Sequence, residues 1–251
     1  MDARGCGLKP GPVHLWYANT GACDVVLPDD ALSAEERGRA GRYRYEADAQ
    51  RYLLSRRVLR AVLSMYVGRE PGAIVFEPGP GGKPRLAGEP PAGLRFNLSH
   101  SGDVTAVAVA QGREVGVDVE ALRYPAPDAG AFRAFFSPRE LAWIEAFEGR
   151  ARAAAFYRIW TRKEALLKAT GEGLSGLGAD LDLSSGSDLL RRGLSWHVRD
   201  LDLLTGYGAA LAVEGGTCTV ELKEWREAAR RRTMRQAGLS SGMFNAGDGA
   251  L

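Results

Sequence analysis

Two carboxylates two residues apart, Asp118 and Glu120 in Val115-Gly116-Val117-Asp118-Val119-Glu120, are spaced to do chemistry. In a strand, positions i and i+2 project from one face, so this pair converges while Val117 and Val119 face a core. Convergent carboxylates repel unless a cation lies between them. Hard oxygen donors suit Mg²⁺, which takes one or two carboxylates and completes its octahedron with water and substrate phosphate. The same pattern also describes a solvated strand face. A second constellation lies in Phe156-Tyr157-Arg158-Ile159-Trp160-Thr161-Arg162-Lys163-Glu164-Ala165-Leu166-Leu167-Lys168, where Glu164 and Lys168 are i, i+4 on a helix and share a face. An isolated pair of this kind is an exposed, weakly stabilising contact. Here Phe156, Ile159, Trp160 and Leu167 surround it with large apolar groups, which implies a mostly buried helix. One helix carboxylate added to two from a strand would complete a metal site on substrate phosphates, with the lysine facing the same phosphates.

Two further segments carry weaker signals. Phe96-Asn97-Leu98-Ser99-His100-Ser101-Gly102 ends a strand in hydroxyls, an imidazole and a glycine, suited to presenting N–H groups and His100 to an anion; a structural histidine is the alternative. Gly81-Gly82-Lys83-Pro84-Arg85 sets a lysine on a rigid turn, which a plain hairpin tip also explains. The chain has 28 Arg and only 5 Lys, and Lys83, Lys163 and Lys168 all fall in these segments.

The elements that must position these residues are legible from periodicity and turn chemistry. Val13–Tyr17 alternates as a first strand, and Ser33-Ala34-Glu35-Glu36 has the form of a capping box opening a helix. The spacing of Leu53, Leu54, Val58, Ala61, Val62 and Met65 predicts a long helix over 47–66, ended by Gly68. Strands are expected at Ile74–Phe76, Leu94–Leu98, Val104–Ala110 and Val115–Val119. The second half repeats the order: Ser137-Pro138-Arg139-Glu140 answers Ser33 to Glu36, a helix over 153–169 answers that over 47–66, and Tyr207–Val213 and Thr217–Leu222 answer two earlier strands. The offsets are about 104–106 residues throughout. The expected fold is α+β: two pseudo-symmetric α/β halves from internal duplication, each a long helix on a small, mostly antiparallel sheet. The expected division is an N-terminal half over 1–120 and a C-terminal half over 121–228, with the site at their interface, and a disordered tail over 229–251.

Composition narrows the function classes. With 251 residues, 45% hydrophobic and 25% charged, the chain has the make-up of a soluble globular protein. The net charge of +2 is uneven: residues 226–251 hold five Arg against Glu227 and Asp248, so the remainder is about −1. A nucleic-acid reader is expected to carry a basic face on its folded body, so no nucleic-acid partner is expected. Three cysteines with no CxxC spacing suggest neither a disulfide framework nor a zinc knuckle and fit a reducing cytoplasm. Neither an apolar signal core nor an 18-residue apolar run is present, so no membrane association is expected.

Taken together, GGKP (Gly81 to Pro84), FNLSHSG (Phe96 to Gly102), VGVDVE (Val115 to Glu120), FFSPRE (Phe135 to Glu140) and FYRIWTRKEALLKATGEGL (Phe156 to Leu174) resemble the Sfp-type 4'-phosphopantetheinyl transferases, in the family's order and spacing. The resemblance covers about residues 13 to 222. It implies transfer of the phosphopantetheine arm of coenzyme A to a serine of an acyl or peptidyl carrier protein, releasing adenosine 3',5'-bisphosphate. It further implies Mg²⁺ held by Asp118, Glu120 and Glu164, Glu164 as base for the carrier serine, and Lys168 on the leaving phosphate. For coenzyme A it implies contacts from Arg39, Lys83, Ser99, His100, Asp118, Lys163 and Lys168. Among the arginines of Arg37-Gly38-Arg39-Ala40-Gly41-Arg42-Tyr43-Arg44, Arg39 is the one matched to the 3'-phosphate, loosely. A carrier would dock near the Gly171–Leu174 loop. Because duplication lets one chain build the whole site, a monomer is expected. Two rivals have discriminators. A Mg²⁺-dependent nuclease usually places a lysine as E-x-K, whereas Glu120 is followed by Ala121 and Leu122. A non-catalytic coenzyme A or carrier-binding module would lack a metal ligand or Lys168, and none is missing.

Overall fold

Short runs rich in valine, alanine and leucine build the central strands, and a serine capping box opens a helix in each half. The structure is a computed structural model and describes residues 11–22, 31–88, 93–173, 176, 178 and 180–225. The tail expected over 229–251 lies outside the described residues, as does Leu174. In chain order the elements are β1 (Val13–Asn19), α1 (Ala34–Ala40), α2 (Glu46–Val67), the hairpin β2 (Phe76–Pro78) and β3 (Pro84–Leu86), then β4 (Leu94–Ser101), β5 (Val104–Gln111) and β6 (Val115–Ala121). There follow α3 (Pro138–Glu145), α4 (Gly149–Thr170), β7 (Asp188–Arg191), β8 (Leu194–Asp200), β9 (Tyr207–Glu214) and β10 (Val220–Glu224).

The two halves share local rules as well as order. Ser33 accepts the Glu36 N–H while Glu36 accepts the Ser33 N–H, and Ser137 and Glu140 do the same. Helices α2 and α4 are both 22 residues long and both end on a left-handed glycine, Gly68 (φ 64°) and Gly171 (φ 73°). The apolar face of α2 is rotated from the one the spacing predicts: Met65 is exposed, while Tyr52, Leu59 and Leu63 are buried. The first short strand begins at Phe76 rather than Ile74, because Ile74 closes the turn over Pro71–Ala73.

Two four-stranded sheets, in the orders β10-β1-β5-β4 and β6-β9-β8-β7, face each other. Pairing is antiparallel apart from β1 with β10. Between them lies a shared core including Leu15, Ala106, Ala108, Val117, Val119 and Leu211. Full burial of Val117 and Val119 contributes roughly 1.5–3 kcal/mol each. The outer face of the first sheet carries α2, through Val58, Leu59 and Val62 on Trp16, Phe96 and Val107. The outer face of the second carries α4, through Ala165, Leu166 and Ala169 on Trp196, Val198, Ala210 and Ala212. This is the α+β class, with a long helix on each sheet.

The sheets do not follow a division at residue 120. Strand β6 forms the edge of the second sheet, and β10 returns to pair with β1 in the first. The reason is burial: residues 115–119 of β6 are buried on both faces, the valines toward the shared core and Gly116 and Asp118 toward the α4 side. Only a strand between two layers is covered in that way. No helix among the described residues is long and apolar enough to cross a membrane.

Candidate active site

An edge strand presents a row of unpaired N–H groups that must find acceptors. On β6 those groups find side chains of β4. Asn97 Oδ1 accepts the Val117 N–H at 2.9 Å, Ser99 Oγ accepts that of Val119 at 3.2 Å, and Ser101 Oγ accepts that of Ala121 at 3.1 Å. The two serines then donate onward, Ser99 to Asp118 Oδ1 (2.9 Å) and Ser101 to Glu120 Oε2 (2.7 Å). The contact joining the two sheets is therefore also the device that holds the carboxylate pair.

Helix α4 brings Glu164 and Lys168 over these carboxylates. Lys168 Nζ donates to Asp118 Oδ1 at 2.5 Å and to Ser99 Oγ at 3.0 Å. Burial pushes the Asp118 carboxyl up, against the pull of Lys168. Burial also raises Glu120 and Glu164, and the neighbouring Asp118 charge adds to both. Three carboxylates thus sit close enough to disfavour one another's ionisation, with one lysine among them. Glu164 and Lys168 open into a cleft of about 270 Å³ whose walls also include Gly81, Gly82, Lys83, Leu98 and Gly171. A larger cavity, about 460 Å³, lies beyond the Gly81–Pro84 turn, but none of the three carboxylates nor Lys168 lines it. The turn is pressed onto the end of α4. A Cβ on Gly81, which has φ 63°, would lie 1.5 Å from the Gly171 carbonyl oxygen, so only glycine closes this side of the cleft.

The other sequence-expected residues divide into two groups. His100 follows Ser99 on β4, and its pKa is lowered, first by crowding from the protein and then by the charges of Lys168 and Arg56. Arg39 lies over the Tyr52 ring at 5.4 Å, and Tyr52 meets Tyr43 in a tilted contact with centroids 5.5 Å apart. Arg56, held to Glu36 at 2.7 Å, bridges the two, with its charge acting on both His100 and Tyr52. Lys168 and Arg56 thus both act electrostatically on His100, and Arg56 and Arg39 on Tyr52, which sets these basic side chains on the same side of the protein as the carboxylates. Sequence reasoning missed Arg56, although its place one turn after Tyr52 on α2 was a usable signal.

Lys83 and Lys163 both engage their ammonium groups with partners inside the protein. Lys83 Nζ donates to Glu114 (2.8 Å) and to the carbonyls of Val115 (2.8 Å) and Ala169 (3.2 Å), which uses all three donors to tie the turn to β6 and α4. Lys163 is fully buried, paired with Glu140 at 2.9 Å and donating to the Leu181 carbonyl. The reason is helical geometry: Lys163 and Lys168 point roughly 140° apart around α4, so only Lys168 faces the cleft. Glu140 also takes the N–H groups of Ser137 and Leu183, making it the knot between α3 and α4. Replacing Lys163 with Met leaves a buried charge unpaired and is expected to lower stability by about 3–5 kcal/mol. A urea unfolding curve checks this, with a reduced midpoint at unchanged slope expected and an unmoved midpoint ruling the buried pair out.

No group of three or more metal-ligating side chains is gathered into a ready-made metal site among the described residues. The donor set nonetheless fits a hard divalent cation. Asp118 Oδ2 is buried without a hydrogen-bond partner, and an orphaned buried carboxylate oxygen calls for a ligand. Glu120 and Glu164 add oxygen donors whose mutual repulsion a cation relieves.

Comparison with known proteins matches this chain along most of its length. A model of the 4'-phosphopantetheinyl transferase superfamily matches residues 114–211, and one of the N-terminal part of 4'-phosphopantetheinyl transferase matches residues 21–112. The 4'-phosphopantetheinyl transferase HetI of Nostoc sp. is 38% identical over 168 residues, 66% of this chain and 71% of that protein. The 4'-phosphopantetheinyl transferase of Bacillus subtilis is 32% identical over 145 residues, 58% of this chain and 62% of that protein. The 4'-phosphopantetheinyl transferase psf-1 of Bacillus pumilus is 36% identical over 144 residues, 57% of this chain and 60% of that protein.

Proposed function

The chain belongs to the 4'-phosphopantetheinyl transferase superfamily, and from that premise we propose that it transfers the 4'-phosphopantetheine arm of coenzyme A to a serine of an acyl or peptidyl carrier protein, with Mg²⁺, releasing adenosine 3',5'-bisphosphate. The observation that carries this reading is the orphaned oxygen of buried Asp118 beside Glu120, Glu164 and Lys168 at the mouth of a cleft. Asp118, Glu120 and Glu164 would hold the cation, which as a Lewis acid would offset charge developing on the pyrophosphate.

The chain's own groups account for the proton movements. Glu164 accepts the proton of the carrier serine hydroxyl, directly or through a water, as that oxygen forms its bond to the phosphorus bearing the pantetheine arm. Its raised pKa brings it nearer to the operating pH of a general base. The phosphoanhydride bond breaks, and the leaving phosphate of the nucleotide takes up the charge beside Lys168. Ser99 and His100, with Arg56 and Arg39, face the nucleotide phosphates. Lys83 and Lys163 act through the fold alone, the first by fixing the turn and the second by fixing α4.

A cytoplasmic monomer is part of the same reading. The test is the intact mass of a purified apo carrier protein incubated with this protein, coenzyme A and Mg²⁺. A gain of one phosphopantetheine arm that vanishes with EDTA is the expected result. No gain with carriers of fatty acid, polyketide and peptide type would overturn the proposal.

A further inference from the structure

We infer that Ser101 is a positioning residue for the divalent cation, acting through Glu120; the inference rests on the proposed metal role of Asp118, Glu120 and Glu164. The β4–β6 contact is built of three rungs. Each rung pairs a β4 side chain with a β6 N–H: Asn97 with Val117, Ser99 with Val119, Ser101 with Ala121. For closing an edge strand any acceptor suffices, and Asn97 supplies one. Hydroxyls appear only at the two rungs whose neighbouring residue on β6 carries a carboxylate, Asp118 and Glu120. At the Asn97 rung the corresponding residue is Gly116, which has nothing to orient.

A hydroxyl has one proton. At Ser101 the oxygen accepts the Ala121 N–H from the backbone, so the proton is directed to Glu120 Oε2 at 2.7 Å. Ser99 repeats the arrangement with two incoming donors, the Val119 N–H and Lys168 Nζ, and its proton goes to Asp118 Oδ1. In both pairs one carboxylate oxygen is tied down by a serine. Among the described residues the other oxygen has no hydrogen-bond partner: Oδ2 of Asp118, which is buried, and Oε1 of Glu120. The seryl hydroxyls therefore set which oxygen each carboxylate offers. Outer partners that orient carboxylate ligands typically change metal affinity 10–100-fold when removed.

The test is titration of the full chain with Mn²⁺, followed by the electron paramagnetic resonance signal of the free ion, in wild type, Ser101→Ala, Ser101→Cys and Ser101→Thr. Ser101→Ala is expected to weaken binding by about 10-fold or more. Ser101→Cys, near-isosteric with only a weak donor, should lose affinity in the same way while still filling the site. Ser101→Thr keeps the hydroxyl on a β-compatible side chain and should bind as wild type does. A purely structural serine would not sort the variants by their hydroxyl. Equal affinity in wild type and Ser101→Ala overturns the inference and leaves the metal reading standing, and a Ser101→Thr as weak as Ser101→Ala also overturns it. If wild type shows no saturable Mn²⁺ binding, or binding that Asp118→Asn does not disturb, both the metal reading and this inference fall.

Discussion

Replacing Glu164 with alanine is expected to lower turnover with an apo carrier protein on the order of 10²–10⁴-fold, the contribution of a positioned general base, while leaving the protein folded. Two facts argue for so large an effect. The variant removes both the proposed base for the serine proton and one of three proposed cation ligands. Neither neighbouring carboxylate replaces it, since Asp118 and Glu120 are the other two proposed cation ligands and each has one oxygen tied to a serine.

The fold should survive for an electrostatic reason. Burial and the Asp118 charge raise the Glu164 pKa. A carboxyl whose folded pKa lies above its unfolded value contributes stability below the unfolded pKa and loses it as pH rises through the folded one. Near neutral pH the ionised group therefore opposes folding of the metal-free protein, and its removal relieves that strain. Among the described residues no hydrogen bond or ion pair of the Glu164 side chain is lost. The decisive measurement pairs steady-state transfer with thermal unfolding. Near-normal turnover would show that Glu164 is not the base, and a collapsed melting temperature would show that it is a structural residue instead.

Gly116→Ala is expected to lower stability and activity together. Here α4 lies directly on the backbone of β6. A Cβ built on Gly116 would meet the Ala165 carbonyl oxygen at 2.1 Å, the Ala169 nitrogen at 2.4 Å and the Ala169 Cα at 2.9 Å. All three are backbone atoms of a helix packed on its sheet, so no side chain can swing aside. Relief requires α4 to lift off the second sheet, opening the contact of Ala165, Leu166 and Ala169 with Ala210 and Ala212. Overpacking of cores commonly costs 1–3 kcal/mol; a clash with rigid backbone belongs at or above the upper end, at about 4 kcal/mol. For a chain of this size that lowers the melting temperature by roughly 8–16 °C. Transfer activity should fall as well, because lifting α4 withdraws Glu164 and Lys168 from Asp118. A melting temperature within about 3 °C of wild type would mean that the helix does not approach the strand as closely as this.

What the sequence determined by itself is everything that depends on local period. The alternation of VGVDVE puts Asp118 and Glu120 on one face and the valines on the other. The i, i+4 spacing puts Glu164 and Lys168 together. The capping boxes at Ser33 and Ser137 and the terminal glycines Gly68 and Gly171 delimit matching helices, and the repeat of these signals made the two-sheet α+β architecture legible. Each is a statement about neighbours along the chain, governed by strand and helix geometry that holds before any tertiary contact forms.

Only the tertiary structure decided which of these groups is free to act. Three lysines looked alike as rare residues in suggestive segments, yet the ammonium group of Lys83, although Lys83 lines the cleft, is engaged by Glu114 and two carbonyls, and that of Lys163 by Glu140 and Leu181, whereas Lys168 reaches Asp118. The role of Asn97, Ser99 and Ser101 depends on a strand about twenty residues later docking its open edge against them. The need for glycine at 116 depends on a helix about fifty residues away. Strand β6, buried on both faces over residues 115–119, pairs with β9, and β10 pairs with β1 about two hundred residues earlier, partners that no window of sequence contains. A side chain's chemistry is written in its own residue, but its availability is set by distant groups that compete for the same donors, acceptors and space.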